Sequence, residues 1–488
     1  NRLCMSKIKI LLLGIALFFA WGAAAHSGKP RVYLIIDTDC AADDFRTLCM
    51  LLGNRDVEIL GITTSEGALT PRQGERKVKA LLNSLYHQGI PVAAGREVGA
   101  SIPAWREMSE QIYWGDTLQK DGPEKSATDL LVETMGREPQ KITFVCLGPL
   151  TNVADLLEAK PGLAEKIDKI IWYNSGAQPM GDTNYRIDTL SAQKVMASGI
   201  KMQLVSAKEE DSVPVSMFYL MELGQLQTSP YAQKVVTAHV TPPLVSAVKD
   251  EHLKVWDELT VLSHFAPQLF TVDSLSPTID WYYVDTKQQI RPIEEQLLAV
   301  FKGKENVEGK IFYHFPVAEE YYIRDLMPII ARTVNRYGAS EWRAAVLTNE
   351  LHGHLGIYAT LGVKMGIRAR EYFNVGVDDI VVTSYAGSKP PVSCLNDGLQ
   401  VSTGGTVGHG LIHIASDEEV RPEATFAFKG RSVTLRLKPE YARQVQEDLK
   451  KGIALYGAGT EENWQYVRKL AIQYWQDWDR HEIFEIIS

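Results

Sequence analysis

Five runs in the first half of the chain are mainly apolar rather than alternating: Arg31 to Ile36, Val57 to Thr64, Ile142 to Leu147, Ile167 to Tyr173 and Lys201 to Val205. An antiparallel strand with one wet face reads apolar-polar-apolar, so mainly apolar runs without that alternation point to strands buried on both sides. Helix-like stretches separate them, giving a β-α-β rhythm and an α/β fold with a mostly parallel sheet. In such sheets ligands bind beyond the carboxyl ends of the strands, so the residues that close each run are the ones to inspect.

The first run closes into Asp37-Thr38-Asp39-Cys40-Ala41-Ala42-Asp43-Asp44, four carboxylates within eight residues at a strand-to-helix turn. Like charges this close raise one another's pKa and destabilise the fold unless a cation or a row of donors compensates. Calcium, which takes six to eight oxygen ligands in flexible geometry, fits such a set. Asp43 and Asp44 could instead simply cap the next helix and meet its dipole, which leaves Asp37 and Asp39 without a reason.

A chain of 488 residues calls for more than one core. Around 318–336 the strand rhythm gives way to a helix-like linker, and Tyr337-Gly338-Ala339-Ser340 marks a joint. We therefore expect a first domain over 26–317 and a smaller α+β domain over 337–488, with a helix from Glu341, a Gly-rich stretch from Asp397 to Gly410 and strands at Thr425–Phe428 and Val433–Leu437. Ahead of both, Lys7 and Lys9, the apolar stretch Ile10 to Trp21 and Ala23-Ala24-Ala25 have the order of a signal peptide over 1–25. The expectation is an exported chain, periplasmic or secreted, with no stable membrane span. Acidic residues outnumber basic ones by 9 and no Lys/Arg block occurs, so no nucleic-acid polymer is expected as partner. Cys40, Cys49, Cys146 and Cys394 are scattered, which excludes a disulfide framework and a thiolate zinc ribbon.

The quartet Asp37, Asp39, Asp43, Asp44 resembles the DxDxxxDD signature of the inosine-uridine nucleoside hydrolase family. The resemblance continues in Gly61-Ile62-Thr63-Thr64, in Leu147-Gly148-Pro149-Leu150-Thr151-Asn152, in Asp182-Thr183-Asn184-Tyr185 and in Trp256-Asp257-Glu258-Leu259. It implies calcium held by Asp39, Asp44, Asp257 and the carbonyl of Leu147, with Asp43, Asp182 and Asn184 on ribose hydroxyls. The implied chemistry is hydrolysis of the N-glycosidic bond of a nucleoside or related ribosyl compound by a calcium-activated water that gives its proton to Asp39. A homo-oligomer is also implied. Two positions depart from the family: Ala68 stands where an Asn reaches the sugar, and Trp256 where many members have His. Trp256 could stack on a flat group of the substrate or fill the core. These departures leave open a calcium-dependent protein that captures a ribosyl ligand without cleaving it.

In the second domain Leu351-His352-Gly353-His354-Leu355-Gly356, Cys394-Leu395-Asn396-Asp397 and Thr403-Gly404-Gly405-Thr406-Val407-Gly408-His409-Gly410 resemble the E-type polypeptide of formylmethanofuran dehydrogenase. That resemblance implies a transition-metal site. His352, His354, Cys394 and His409 would make a four-ligand zinc set, although Gly356 and Gly405 stand where that family has cysteines. The same histidines could be core residues and the glycines tight turns. The domain is read as auxiliary, or, in a further alternative, as a metal-binding accessory through which the whole chain acts. The aromatic stretch Trp464, Tyr466, Tyr474, Trp475, Trp478 is expected to be a packed helix face, with a carbohydrate or partner surface as the alternative.

Overall fold

A computed structural model describes residues 32–54, 56–116, 125–174, 182–208, 213–302, 311–312, 314–416 and 420–487. The segment 1–25 read as a signal peptide lies outside them. The first sheet has eight strands: β1 (Val32–Thr38), β2 (Val57–Thr64), β3 (Val92–Ala94), β4 (Ile142–Cys146), β5 (Ile167–Tyr173), β6 (Met202–Ala207), β7 (Thr271–Ser276) and β8 (Ile279–Val284). Their order is β3-β2-β1-β4-β5-β6-β8-β7. All pairs are parallel except β7 with β8.

Both faces of the sheet are covered at its centre, which is why β1, β2 and β4 are largely apolar without alternation. Leu34 and Ile36 enter one core with the helix Ala42–Gly53, while Ile35 enters a second with Phe144 and Trp172 on the opposite face. A 12-residue helix is marginal in isolation. Ala42–Gly53 is held by burial on nearly every side, from Asp44 through Leu52, between the sheet and the helices Pro230–His239 and Glu258–Phe265. Because β2 and β3 extend from β1 in one direction while β4, β5 and β6 extend in the other, the strand order reverses between β1 and β4. The crevice for a ligand therefore opens at the carboxyl ends of those two strands.

The second sheet has the order β10-β9-β11-β12-β13, with β9 (Val381–Ser384), β10 (Ile412–Ile414), β11 (Glu423–Phe428), β12 (Arg431–Leu437) and β13 (Phe484–Ile487). It packs on the helices Ala339–His352, Ile357–Phe373 and Glu461–Asp477 in a core of its own, to which Leu326, Ile329 and Ile330 also belong. Tyr474, Trp475 and Trp478 are buried there and Trp464 is exposed, so the aromatic stretch is chiefly a packed helix face.

The second module meets the first at the amino-terminal edge of the parallel sheet. His87 is buried with Nδ1 2.6 Å from the Glu371 carbonyl and Nε2 2.8 Å from the Tyr231 hydroxyl. Gly89 donates its N–H to the Tyr372 carbonyl at 2.8 Å, and Tyr86 stacks on His481 at 3.5 Å. Lys429, at the tip of the β11–β12 hairpin, forms ion pairs with Glu58 and Glu138. Among the described residues no helix is long and apolar enough to cross a membrane.

Candidate active site

The turn after β1 is closed by one carboxylate. Asp44 accepts the N–H groups of Asp39 at 3.1 Å, Cys40 at 3.3 Å and Ala41 at 3.1 Å, together with the hydroxyl of Thr38. Asp44 is the third residue of the helix Ala42–Gly53 and reaches back over its N-cap, Ala41, to the turn that precedes it. Cys40 sits in the left-handed region at φ 67°, an uncommon conformation for a residue with a side chain, and it turns the chain sharply enough to place Asp39 beside Asp44.

Asp39 is buried, and its Oδ2 accepts the N–H of Ala68 at 2.9 Å. Gly67 has to be glycine for this: a Cβ there would lie 1.9 Å from that oxygen. Ala68 is itself fully buried and serves Asp39 through its backbone. Asp37 accepts from Asn152 Nδ2 at 2.8 Å through one oxygen, while its other oxygen is buried with no partner. Leu147, leaving β4, donates its N–H to the Asp37 carbonyl at 2.8 Å and so stitches the two strand ends together.

Asp257 opens the helix Glu258–Phe265 and is buried. One oxygen each of Asp43, Asp44 and Asp257 can be chosen so that all lie within 4.8 Å of one another. Burial pushes the Asp37 and Asp43 carboxyls up to about 7, with the Asp44 charge adding to both. Burial, followed by neighbouring aspartates, likewise holds Asp39 and Asp257 well above the usual carboxylate range. Among the described residues none of Asp43, Asp44 and Asp257 forms a salt bridge. Oxygen-only donors and clustered, buried negative charge fit a hard divalent cation.

Asp182 caps the short helix Thr183–Ile187 by accepting the Asn184 N–H at 2.7 Å, and Asn184 Nδ2 donates to the Leu147 carbonyl at 2.8 Å. Trp256 is half-buried, with its N–H held by Glu258 Oε2 at 3.1 Å. Of the residues expected from sequence, Asp43, Asp44 and Asp257 converge, Asp39 stands beside them, and Leu147 and Asn184 are joined to each other. Four residues at this site were given no role from sequence. Arg46 and Glu258 are a buried ion pair behind the aspartates; a charge on an otherwise apolar helix was the available signal. Tyr173 ends β5 and Asn174 follows it: burial raises the Tyr173 phenol, and Asp257 and Asp182 add to the shift. Both polar side-chain atoms of Asn174 are buried without a partner.

The zinc set expected in the second module is not assembled. His352 Nδ1 is 2.7 Å from Asp397 Oδ2, the His352 and His354 rings are 4.3 Å apart, and Cys394 lies near Asp397 at the start of the helix Leu395–Thr403. His409 is beyond the other end of that helix, with Nδ1 2.9 Å from the Gly404 carbonyl. A nine-residue helix separates its ends by roughly 13 Å, too far for one ligand sphere, and among the described residues only the aspartate trio meets that geometry.

The parallel sheet and the acidic cluster at its reversal point define an α/β enzyme domain with a cation-competent carboxylate site. Residues 34–308, more than half of the chain, match the family model for inosine-uridine preferring nucleoside hydrolase. The chain belongs to that family, a class of N-glycosyl hydrolases whose enzymes are metal-dependent. Residues 351–485 match the model described as FmdE, molybdenum formylmethanofuran dehydrogenase operon. The chain is 28% identical over 276 residues to the pyrimidine-specific ribonucleoside hydrolase RihA of Salmonella enteritidis, covering 52% of this chain and 84% of the relative. It is 33% identical over 185 residues to RihA of Salmonella typhi, covering 34% and 57%. A solved purine-preferring ribonucleoside hydrolase from Gardnerella vaginalis aligns over 55% of this chain and 99% of its own, at 19% identity and a TM-score of 0.45.

Proposed function

We propose that the first domain hydrolyses the N-glycosidic bond of a ribonucleoside or related ribosyl compound at the aspartate cluster, with calcium as its cation. The observation that carries this reading is the convergence of Asp43, Asp44 and Asp257 at the carboxyl ends of β1 and β4. Asp39, Asp44, Asp257 and the Leu147 carbonyl would hold the ion, with Asp43 in reach of it. When bound, calcium compensates the crowded charge and makes a nearby water more acidic.

The remaining work falls to the chain's own groups. Asp39 is oriented by the Ala68 N–H and, through the burial that raises its pKa, is a strong acceptor for the proton of the attacking water. Asp43, Asp182 and Asn184 hold the ribose hydroxyls. The surrounding carboxylates stabilise positive charge as it develops at the anomeric carbon. Trp256 offers an indole face for the departing base. The second module, on the opposite edge of the sheet, serves as an auxiliary domain, and the basic-apolar-small order of residues 5–25 supports export.

The test is release of free base and ribose from a panel of nucleosides, with calcium and with chelator. Chelator-sensitive release is expected. Tight calcium binding without any release would replace the hydrolase with a ribosyl-binding protein.

A further inference from the structure

The helix that carries Asp43 and Asp44 and the segment that carries Asp257 are more than 200 residues apart in sequence, and one side chain spans them. Arg46 is buried two residues beyond Asp44. Its Nε pairs with Glu258 Oε1, its Nη2 donates to the Lys254 carbonyl at 2.6 Å, and its Nη1 is 3.1 Å from His239 Nε2. His239 Nδ1 lies 2.8 Å from the Val235 carbonyl and must carry the proton to bond it. Nε2 is therefore the lone-pair nitrogen, and Arg46 is the donor. Glu258 uses its other oxygen to accept the Trp256 N–H at 3.1 Å. Asp257 is thus held on both sides, through Lys254 and Trp256 before it and Glu258 after it.

We infer that Arg46 is the positioning residue of the cation site, setting Asp257 against Asp43 and Asp44 through Glu258 and the Lys254 carbonyl. The inference rests on the reading that these aspartates bind a cation. A buried ion pair contributes little net stability compared with apolar side chains of the same volume, so the pair has a use apart from holding the core. The guanidinium is the one side chain whose rigid fork serves three acceptors in different directions; a lysine reaches only one or two of them.

The experiment is calcium titration calorimetry on the full chain, alongside its melting temperature in chelator. The wild type must bind first; if it does not, the cation reading fails and not this one. In Arg46→Met/Glu258→Met, which leaves no unpaired charge, affinity is expected to fall at least tenfold while the chelator melting temperature stays within a few degrees. Arg46→Lys keeps the charge and is expected to recover part of that affinity; it decides the matter if the double variant fails to fold. Wild-type calcium affinity in Arg46→Lys, or in a folded double variant, would overturn the inference.

Discussion

Asn184 Nδ2 donates to the Leu147 carbonyl oxygen at 2.8 Å, so a residue expected to hold ribose and one expected to hold the cation are bonded to each other. A carbonyl oxygen has a second lone pair, and the cation can take it while Asn184 keeps the first or turns to the sugar. Asn184→Ala is expected to raise KM for a nucleoside by about tenfold, the worth of one hydrogen bond of about 1.4 kcal/mol, without weakening calcium affinity. Steady-state kinetics beside a calcium titration separate the two. A loss of calcium affinity would make Asn184 a support of the cation and not of ribose.

Asp39→Asn keeps an oxygen for the Ala68 N–H and removes the proton acceptor. Turnover is expected to fall by about 10²–10⁴-fold, the usual contribution of a positioned base, with an unchanged circular dichroism spectrum. A variant that still turns over would take Asp39 out of the role of base.

The raised carboxyls set the direction of the pH dependence. Asp37 and Asp43 sit at about 7 in the fold against 3.8 in the reference state, because burial disfavours their charge. Between those values the folded chain binds protons that the unfolded chain has lost, so stability without a cation is fully present below about 4 and falls as pH rises to about 7. Asp39 and Asp257 shift in the same sense. Calcium competes with those protons, and its affinity rises across the same window. Melting temperature in chelator should be lower at pH 8 than at pH 5, with a larger gain from calcium at pH 8. A cation-free protein more stable at pH 8 would contradict the buried, uncompensated cluster.

What the chain discloses by pattern is the set of strands with both faces covered. Val57–Thr64 and Ile167–Tyr173 coincide residue for residue with β2 and β5: β2 is buried at every position, and β5 buries Ile167, Ile170, Ile171 and Trp172 although Asp168 is exposed. β3, β9, β10 and β13 span three or four residues each, too few for a period, and β7 lies exposed at the sheet edge with no apolar run to betray it. At the site, Asp37 through Asp44 lie together because they are consecutive. The Arg46–Glu258 pair is legible only once residues 212 positions apart are brought into contact. The zinc set failed for the opposite reason: His409 follows Cys394 closely in sequence, but a helix stands between them. Metal analysis of Cys394→Ser and His409→Ala should accordingly show no common loss of bound zinc, and a shared loss would restore that set.

Lys429 tests whether the second module stabilises the hydrolase domain. Its ammonium, about 30% exposed, is paired with Glu58 and Glu138, both nearly buried on the first domain. Lys429→Met keeps the length of the chain and takes the ammonium away from both buried carboxylates. Removing one partner of a buried pair costs about 3–5 kcal/mol; allowing for the exposure of Lys429, about 2–3 kcal/mol is expected. The contact lies at the amino-terminal edge of the sheet and the aspartate cluster at the carboxyl edge. Urea unfolding should therefore show lower stability while calcium affinity and kcat stay at wild-type values. Unchanged stability would mean that the hairpin tip adds nothing to the docking. A parallel loss of calcium affinity would show instead that the two edges of the sheet are coupled, with the second module acting on the site through the strands.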